Sequence, residues 1–214
     1  MIGVMTISAT LHDKRRPIAS RLGRTLIVLL LFVPVGMVAL GSGFGIIPLP
    51  FEMFVLAENM PVIFRAHMVA AAFALLLAPV VIAVRHRPEL HCMLGRLLGA
   101  FVVVGGLTAL PVAIFSHSGM IARAGFFMQG LVWMALFIAG FMSIGRGDRS
   151  RHIRFMVAMV AVTTGAVWFR LMTGTAIALQ LPFEPVYAFA AWAAWIAPLT
   201  VVVMFPKSVA KALA

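Results

Sequence analysis

Six apolar stretches, each long enough to cross a lipid bilayer as a helix, alternate with short polar segments along this chain. A helix needs about 20 apolar residues to span roughly 30 Å of hydrocarbon. The bilayer offers the backbone no hydrogen-bond partners, so only helices and closed barrels span it. The pattern therefore predicts an all-α polytopic membrane bundle of six transmembrane helices. The helices are expected over about residues 25–47, 62–84, 88–115, 124–144, 149–179 and 185–205.

The composition agrees with a membrane location and with a single domain. Of the 214 residues, 63% are hydrophobic and 11% are charged. Soluble domains average roughly 25% charged residues, so this chain could not cover itself with a polar surface in water. We expect one membrane domain over residues 25–206, between a basic tail at residues 1–24 and a short tail at residues 207–214.

The distribution of positive charge predicts the orientation of the bundle. Of the 17 Lys and Arg residues, 14 fall in the tails and in the segments on one side of the alternation. Only Arg65, Arg123 and Arg170 belong to the other side. Positively charged residues are retained in the cytoplasm, so both termini are predicted to be cytoplasmic. The same residues meet anionic lipid head groups, which explains the net charge of +11 better than nucleic-acid binding does.

A basic segment that contains a histidine occurs twice, with His91 in the first copy and His152 in the second, 61 residues later. Pro88 is a favourable first residue of a helix, which places His91 at the fourth helical position. Asp148 is a favourable N-cap, which places His152 at the fourth position of its own helix. The two histidines are therefore expected at one depth on the cytoplasmic side, in two hairpins related by an axis along the membrane normal.

Two interpretations of these histidines remain open. Imidazoles on neighbouring helices, beside a close-approach face formed by Gly95 and Gly99, would suit a b-type haem with His91 and His152 as axial ligands. Arg96 would then neutralise an anionic group nearby. Alternatively, both histidines meet lipid phosphates at the interface, and the glycines pack helix against helix.

Three polar residues are predicted to form a pocket in the outer half of the bundle: His67, Gln129 and Arg170. Arg170 lies roughly 14 Å below the end of its helix at 1.5 Å per residue. The pocket would hold a quinone head group, a haem propionate or another anion. Alternatively, backbone carbonyls satisfy Arg170, and His67 only cross-links helices. Since His67 differs in depth from His91 and His152 by on the order of 20 Å, the three cannot share one metal ion.

The sequence contains few residues or motifs for other kinds of catalytic site. The predicted membrane cores contain no Asp or Glu, and there is no Ser-His-Asp arrangement, phosphate-binding loop or zinc-protease motif. An enzyme that acts on lipids is therefore the least favoured class. The single cysteine, Cys92, excludes a disulfide within the chain.

An ordered set of residues resembles one known family. The set comprises Phe64-Arg65-Ala66-His67, Arg85 to Pro88, Leu90-His91, Leu94-Gly95-Arg96, Trp133, Gly147-Asp148, His152, Arg154, Met156, Arg170-Leu171, Leu181 to Glu184, Tyr187 and Trp192. Over about residues 61–200 it is similar to bacterial predicted membrane proteins filed under domain of unknown function 2306. The resemblance implies a multi-pass protein of the bacterial inner membrane, with signature residues at His67, His91, Arg96, His152 and Arg170. It implies no activity.

Two functional hypotheses follow from these patterns. The first is a membrane-embedded redox protein that binds b-type haem, with a quinone or another membrane redox protein as its partner. The second is a non-enzymatic bundle that binds, senses or transports a small anionic or lipidic molecule, or scaffolds a membrane complex. The sequence does not decide whether the protein is an enzyme, nor does it indicate an oligomeric state.

Overall fold

The computed structural model describes residues 18–206, apart from the side chains of residues 18–25, 27–29 and 52. Most of the predicted basic tail and the tail at 207–214 therefore lie outside the described residues. All regular secondary structure between residues 18 and 206 is helical. The helices are α1 (Ile18–Gly43), α2 (Phe51–Asn59), α3 (Pro61–Ala83), α4 (Pro88–Phe115), α5 (Met120–Gly145), α6 (Arg149–Thr163), α7 (Gly165–Ala178) and α8 (Phe183–Met204).

Short loops make the long helices into a series of hairpins. Four residues at most separate α3 from α4, α4 from α5, α5 from α6, and α7 from α8, and each pair packs together. Helices joined by loops this short run antiparallel. The bundle is closed by α8, which also packs on α5 and α6, while α1 packs on α3.

The two ends of the bundle differ in charge. One end, which we call the basic end, contains the loops 84–87 and 146–148, the first three turns of α4 and the first two turns of α6. Its arginines are exposed, and they are Arg85, Arg87, Arg96, Arg146, Arg149, Arg151 and Arg154. The opposite end, which we call the α2 end, contains α2 and the loops 116–119 and 179–182. The cytoplasmic location of the basic end stays a prediction.

Five helical segments in the described chain are long and apolar enough to cross a membrane. They are Pro61–Ala83, Pro88–Phe115, Met120–Gly145, Arg149–Ala178 and Phe183–Met204. Large apolar side chains such as Leu107, Ile138 and Phe189 are exposed on these helices, as expected of a lipid-facing surface. In α1, the segment Leu30–Gly43 is a shorter apolar helix. The sixth span therefore stays a prediction.

The observed helices differ from the predicted ones at several places. The first helix begins at Ile18, inside the predicted basic tail, instead of at residue 25, and α5 begins at Met120 instead of at residue 124. The first helix ends at Gly43 instead of residue 47, because Gly45 adopts a φ of 76° and the chain turns back with Ile46 N–H donating to Gly41 O. The nine-residue helix α2 follows, in a segment where no helix was predicted. The predicted helix over 149–179 is divided into α6 and α7 at Thr164.

The two predicted helix starts at the basic end are confirmed. Pro88 is the first residue of α4, so His91 occupies the fourth position. Asp148 caps α6 by accepting a hydrogen bond from Arg151 N–H at 2.8 Å, which gives His152 the same position in its helix.

Candidate functional site

A cavity of about 250 Å³ lies between the helices at the α2 end. Most of its wall is apolar, and α2 contributes Met53 and Leu56 to it. The predicted residues His67, Gln129 and Arg170 all line this cavity, together with Tyr187, Thr163 and the loop residues 116–118. The structure thus brings together three side chains that come from α3, α5 and α7.

His67 is held by the neighbouring helix. Phe64, His67 and Ala71 line the cavity because residues three and four apart share one helical face. The His67 Nδ1 lies 3.0 Å from Gly105 O of α4. A carbonyl only accepts, so Nδ1 donates and Nε2 remains available for a ligand. Arg65, two residues earlier, is exposed, as its position on the opposite side of the helix predicts.

The inner wall of the cavity is formed at the junction of α6 and α7. Gln129 Nε2 donates to Val162 O at 3.4 Å, and one turn further Trp133 Nε1 donates to Thr163 Oγ1 at 2.8 Å. At Gly165 an added Cβ would lie 2.8 Å from Gln129 Nε2, so Gln129 occupies the space of the missing side chain. This wall is therefore closely packed and internally hydrogen-bonded.

Arg170 is directed into the bundle. Its Nη1 donates to Ala166 O at 3.0 Å, one turn earlier on α7. Because α7 runs towards the α2 end, this bond turns the guanidinium away from the nearer membrane surface. Arg170 also lies within electrostatic reach of His67 and Tyr187. No described side chain in the cavity wall is a carboxylate.

Three aromatic rings form one side of the cavity. Phe169 contacts Phe126 at 5.2 Å and Tyr187 at 5.1 Å between ring centroids, and the interplanar angles are 75° and 82°. Phe126 and Tyr187 complete the triangle at 5.8 Å. These edge-to-face contacts join α5, α7 and α8 beside Arg170. We call Phe126, Phe169 and Tyr187 the aromatic triad.

His91 and His152 lie at the basic end and contact different helices. His91 Nδ1 bonds to Val81 O of α3 at 3.1 Å, and His152 Nδ1 bonds to Gly140 O of α5 at 2.9 Å. The ring of Phe137 occupies the space beside Gly99, where the haem hypothesis required a close-approach face. The observed contacts do not place one haem between these two rings.

The hydrogen bonds brace the two hairpins in a similar way. In the α3–α4 hairpin, one bond joins His67 to Gly105 and the other joins His91 to Val81. The two bonds are separated by 14 residues on α3 and by 14 residues on α4. In the α5–α6 hairpin the bonds from Gln129 and His152 are separated by 11 residues on α5 and by 10 on α6. Each hairpin is thus tied at two levels, and the antiparallel register is the same at both levels in α3–α4 but shifts by one residue in α5–α6.

The predicted residue Arg96 lies outside the cavity, and the loop residue His117 lies at its mouth. Arg96 is exposed on α4 at the basic end, and His117 is exposed in the loop 116–119, where it lines the cavity. Sequence reasoning did not assign Thr163 or the aromatic triad to the site. Their closeness in sequence to predicted site residues could have indicated two of the aromatic residues. Phe126 precedes Gln129 by three residues, and Phe169 directly precedes Arg170.

Among the described residues there is no group of three or more His, Cys, Asp or Glu side chains that could hold a metal ion. The groups that converge in the cavity instead supply a fixed positive charge, hydrogen-bonding side chains and an aromatic wall. Such a set is chemically suited to a polar head group attached to an apolar body.

Comparison with known proteins places the chain in a family. A family model described as "Predicted membrane protein (DUF2306)" matches residues 64–205, which extend from the first turn of α3 to the end of α8. Searches of curated proteins and of solved structures found no match. The matched range contains every described cavity residue except those of α2. The chain therefore belongs to the family of predicted membrane proteins known as domain of unknown function 2306.

Proposed function

We propose that this protein binds a small molecule with an anionic or carbonyl head group in the cavity at the α2 end, and so carries or senses that molecule in the membrane. The proposal depends on one observation, that Arg170 is turned inward to line the same cavity as His67 and Gln129.

The position of Arg170 supports a binding function. An arginine within the hydrocarbon region costs several kcal/mol unless it is paired or reaches the interface. Arg170 bonds inward to Ala166 O, and no described carboxylate lines the cavity beside it. An anion, or a carbonyl oxygen that accepts its hydrogen bonds, would offset this cost.

The size and wall of the cavity limit what it binds. Its volume of about 250 Å³ is below the 300–1,000 Å³ range typical of drug-sized ligands. It therefore suits a small head group or a small amphipathic molecule, and a quinone ring belongs to this class. A complete porphyrin is too large for it.

Ligand-dependent stability tests this function. The protein in lipid nanodiscs is heated with cinnamate, with decylubiquinone or with inorganic phosphate, and its unfolding is followed by circular dichroism. A ligand at 100 times its dissociation constant adds about 2.7 kcal/mol to the free energy of unfolding. We expect at least one probe to raise the melting temperature of the native protein and of Arg65→Gln, the matched exposed arginine, but not of Arg170→Gln. If no probe does so, the proposal is wrong.

A redox function with b-type haem is the second candidate. The Nδ1 bonds of His91 and His152 favour haem binding, because they leave Nε2 of each ring for iron. The contacts of the two rings with different helices disfavour it. The visible spectrum of detergent-purified protein tests it. A Soret band that shifts on reduction and disappears in His91→Ala would support haem, and colourless protein from haem-producing cells would exclude it.

A further inference from the structure

The cavity at the α2 end carries an inference about the chemical class of its ligand. Building on the proposed function, we propose that the ligand is a small monocarboxylate with a flat, unsaturated body. Its carboxylate pairs with Arg170, and its body lies against the aromatic triad.

The charge of the ligand follows from the charge of the cavity. Arg170 is the sole Lys or Arg among the described lining residues, and no described lining residue is acidic. One of its five N–H donors bonds to Ala166 O. The planar fork of a guanidinium matches a carboxylate in a bidentate pair, which also adds geometric specificity. A single negative charge therefore balances the cavity.

Other head groups fit this charge less well. A phosphate dianion would leave one negative charge unbalanced against a mostly apolar wall, where an unpaired charge is costly. A quinone carbonyl would accept hydrogen bonds from Arg170, but a neutral ligand would leave the charge of Arg170 unbalanced in the membrane. A monocarboxylate balances the charge of Arg170 and adds no excess negative charge.

The apolar, aromatic wall next to Arg170 indicates what the body of the ligand is. Phe169 directly precedes Arg170, and its ring meets Phe126 and Tyr187 edge to face. Aromatic rings prefer such edge-to-face or offset contacts, so a flat ring extends the triad in the same manner. Phe64 and Met68 of α3 also line the cavity and supply apolar contacts. Met side chains adapt to the outline of a ligand.

Calorimetric titration of the protein in nanodiscs tests the inference with two probes of equal shape. Cinnamate carries the carboxylate and the flat body, and cinnamamide is its neutral counterpart. We expect cinnamate to bind about 10- to 100-fold more tightly, which corresponds to one charge-assisted pair. Arg170→Gln should remove this preference, and Arg65→Gln should retain it. Phe169→Leu should weaken both probes and leave their ratio unchanged.

The outcomes separate this inference from the proposed function. If cinnamamide or decylubiquinone binds as tightly as cinnamate, and Arg170→Gln weakens that binding, the carboxylate inference fails and the cavity remains a binding site. If no probe binds, or if all bind equally well to Arg170→Gln, both are wrong. Should Arg170→Gln fail to fold, Arg170→Lys replaces it. This variant keeps the charge without the planar fork, and it should bind cinnamate more weakly than the native protein does.

Discussion

At the scale of residues, the described bundle is braced by polar side chains that reach backbone carbonyls of neighbouring helices. The histidines of α3, α4 and α6 all do so through Nδ1. Hydrophobic burial does not drive helix association in lipid, because the acyl chains are as apolar as the side chains. Packing and inter-helix hydrogen bonds then account for a larger share of the stability. Polar residues within such helices are therefore structural as well as functional candidates.

The bond of His152 should contribute measurably to stability. We expect His152→Ala to lower the free energy of unfolding by about 1 kcal/mol, because the bond to Gly140 O is lost. Unfolding of the purified protein by sodium dodecyl sulfate in mixed micelles measures this. The exposed loop residue His86 provides the control, and His86→Ala should unfold as the native protein does. Equal stability of all three proteins would show that the His152 bond is energetically neutral.

Thr163 in the cavity wall and Thr173 outside it are both buried, and they give a matched pair of variants. Thr163→Val should lower the free energy of unfolding by about 1–3 kcal/mol, because Trp133 Nε1 loses its acceptor while it remains buried. Thr173→Val should have a smaller effect, since the Thr173 hydroxyl bonds to Phe169 O of its own helix. The same micellar unfolding assay compares the two. A larger effect at Thr173 would contradict the assigned role of Thr163.

At the scale of elements, glycines determine how closely α5 approaches its neighbours. At Gly125, an added Cβ would lie 2.8 Å from Ala191 O and 3.0 Å from Ala191 C, both backbone atoms of α8. Backbone cannot give way as a flexible side chain does. The close contact of α5 with α8 therefore requires Gly125, and it holds the aromatic triad together.

Gly125→Ala should consequently separate α5 from α8. We expect it to lower the free energy of unfolding by about 1–3 kcal/mol, the usual cost of overpacking. Gly95→Ala is the control, because nothing lies within 4 Å of its added Cβ. That variant should be unchanged or more stable by up to about 1 kcal/mol, since alanine is the better helix former. Thermal unfolding in detergent measures both, and equal melting temperatures would rule out the close contact.

At the scale of the whole molecule, the charge difference between the two ends predicts the direction of insertion. All seven arginines named at the basic end are exposed, and the cavity opens towards the opposite end. If the positive residues stay in the cytoplasm, the cavity faces the outer side of the membrane, and the proposed ligand would enter from that side. The orientation of the bundle thus decides from which side of the membrane the cavity is accessible.

Cysteine accessibility tests the orientation directly. Cys92 is exposed near the start of α4, at the basic end. We expect a membrane-impermeant maleimide to label it only after the cells are permeabilised. His117→Cys, made in a Cys92→Ser background, places a thiol in the loop at the α2 end and should react in intact cells. The reverse labelling pattern would show that the bundle is inserted the other way round.

The sequence predicted much of the site because depth in a membrane can be counted along a helix. His67, Gln129 and Arg170 were placed together from their distances to helix ends, and all three line one cavity. Pro88 as a first helical residue and Asp148 as an N-cap predicted the helix starts, and so the helical positions of His91 and His152. Counting along a helix gives depth but not the direction in which a side chain points. The contacts of His91 and His152 with different helices were therefore beyond sequence reasoning.

The sequence alone determined that the chain is helical and membrane-embedded, because its apolar runs are long enough to span a bilayer as helices, whose backbone groups bond within the segment. The tertiary structure decided which helix each polar group bonds to, where α6 ends, and that Arg170 faces a cavity lined by the aromatic triad. These features depend on rotation about helix axes and on packing between segments distant in sequence. In a chain that is apolar on nearly every helical face, no periodic pattern specifies that rotation.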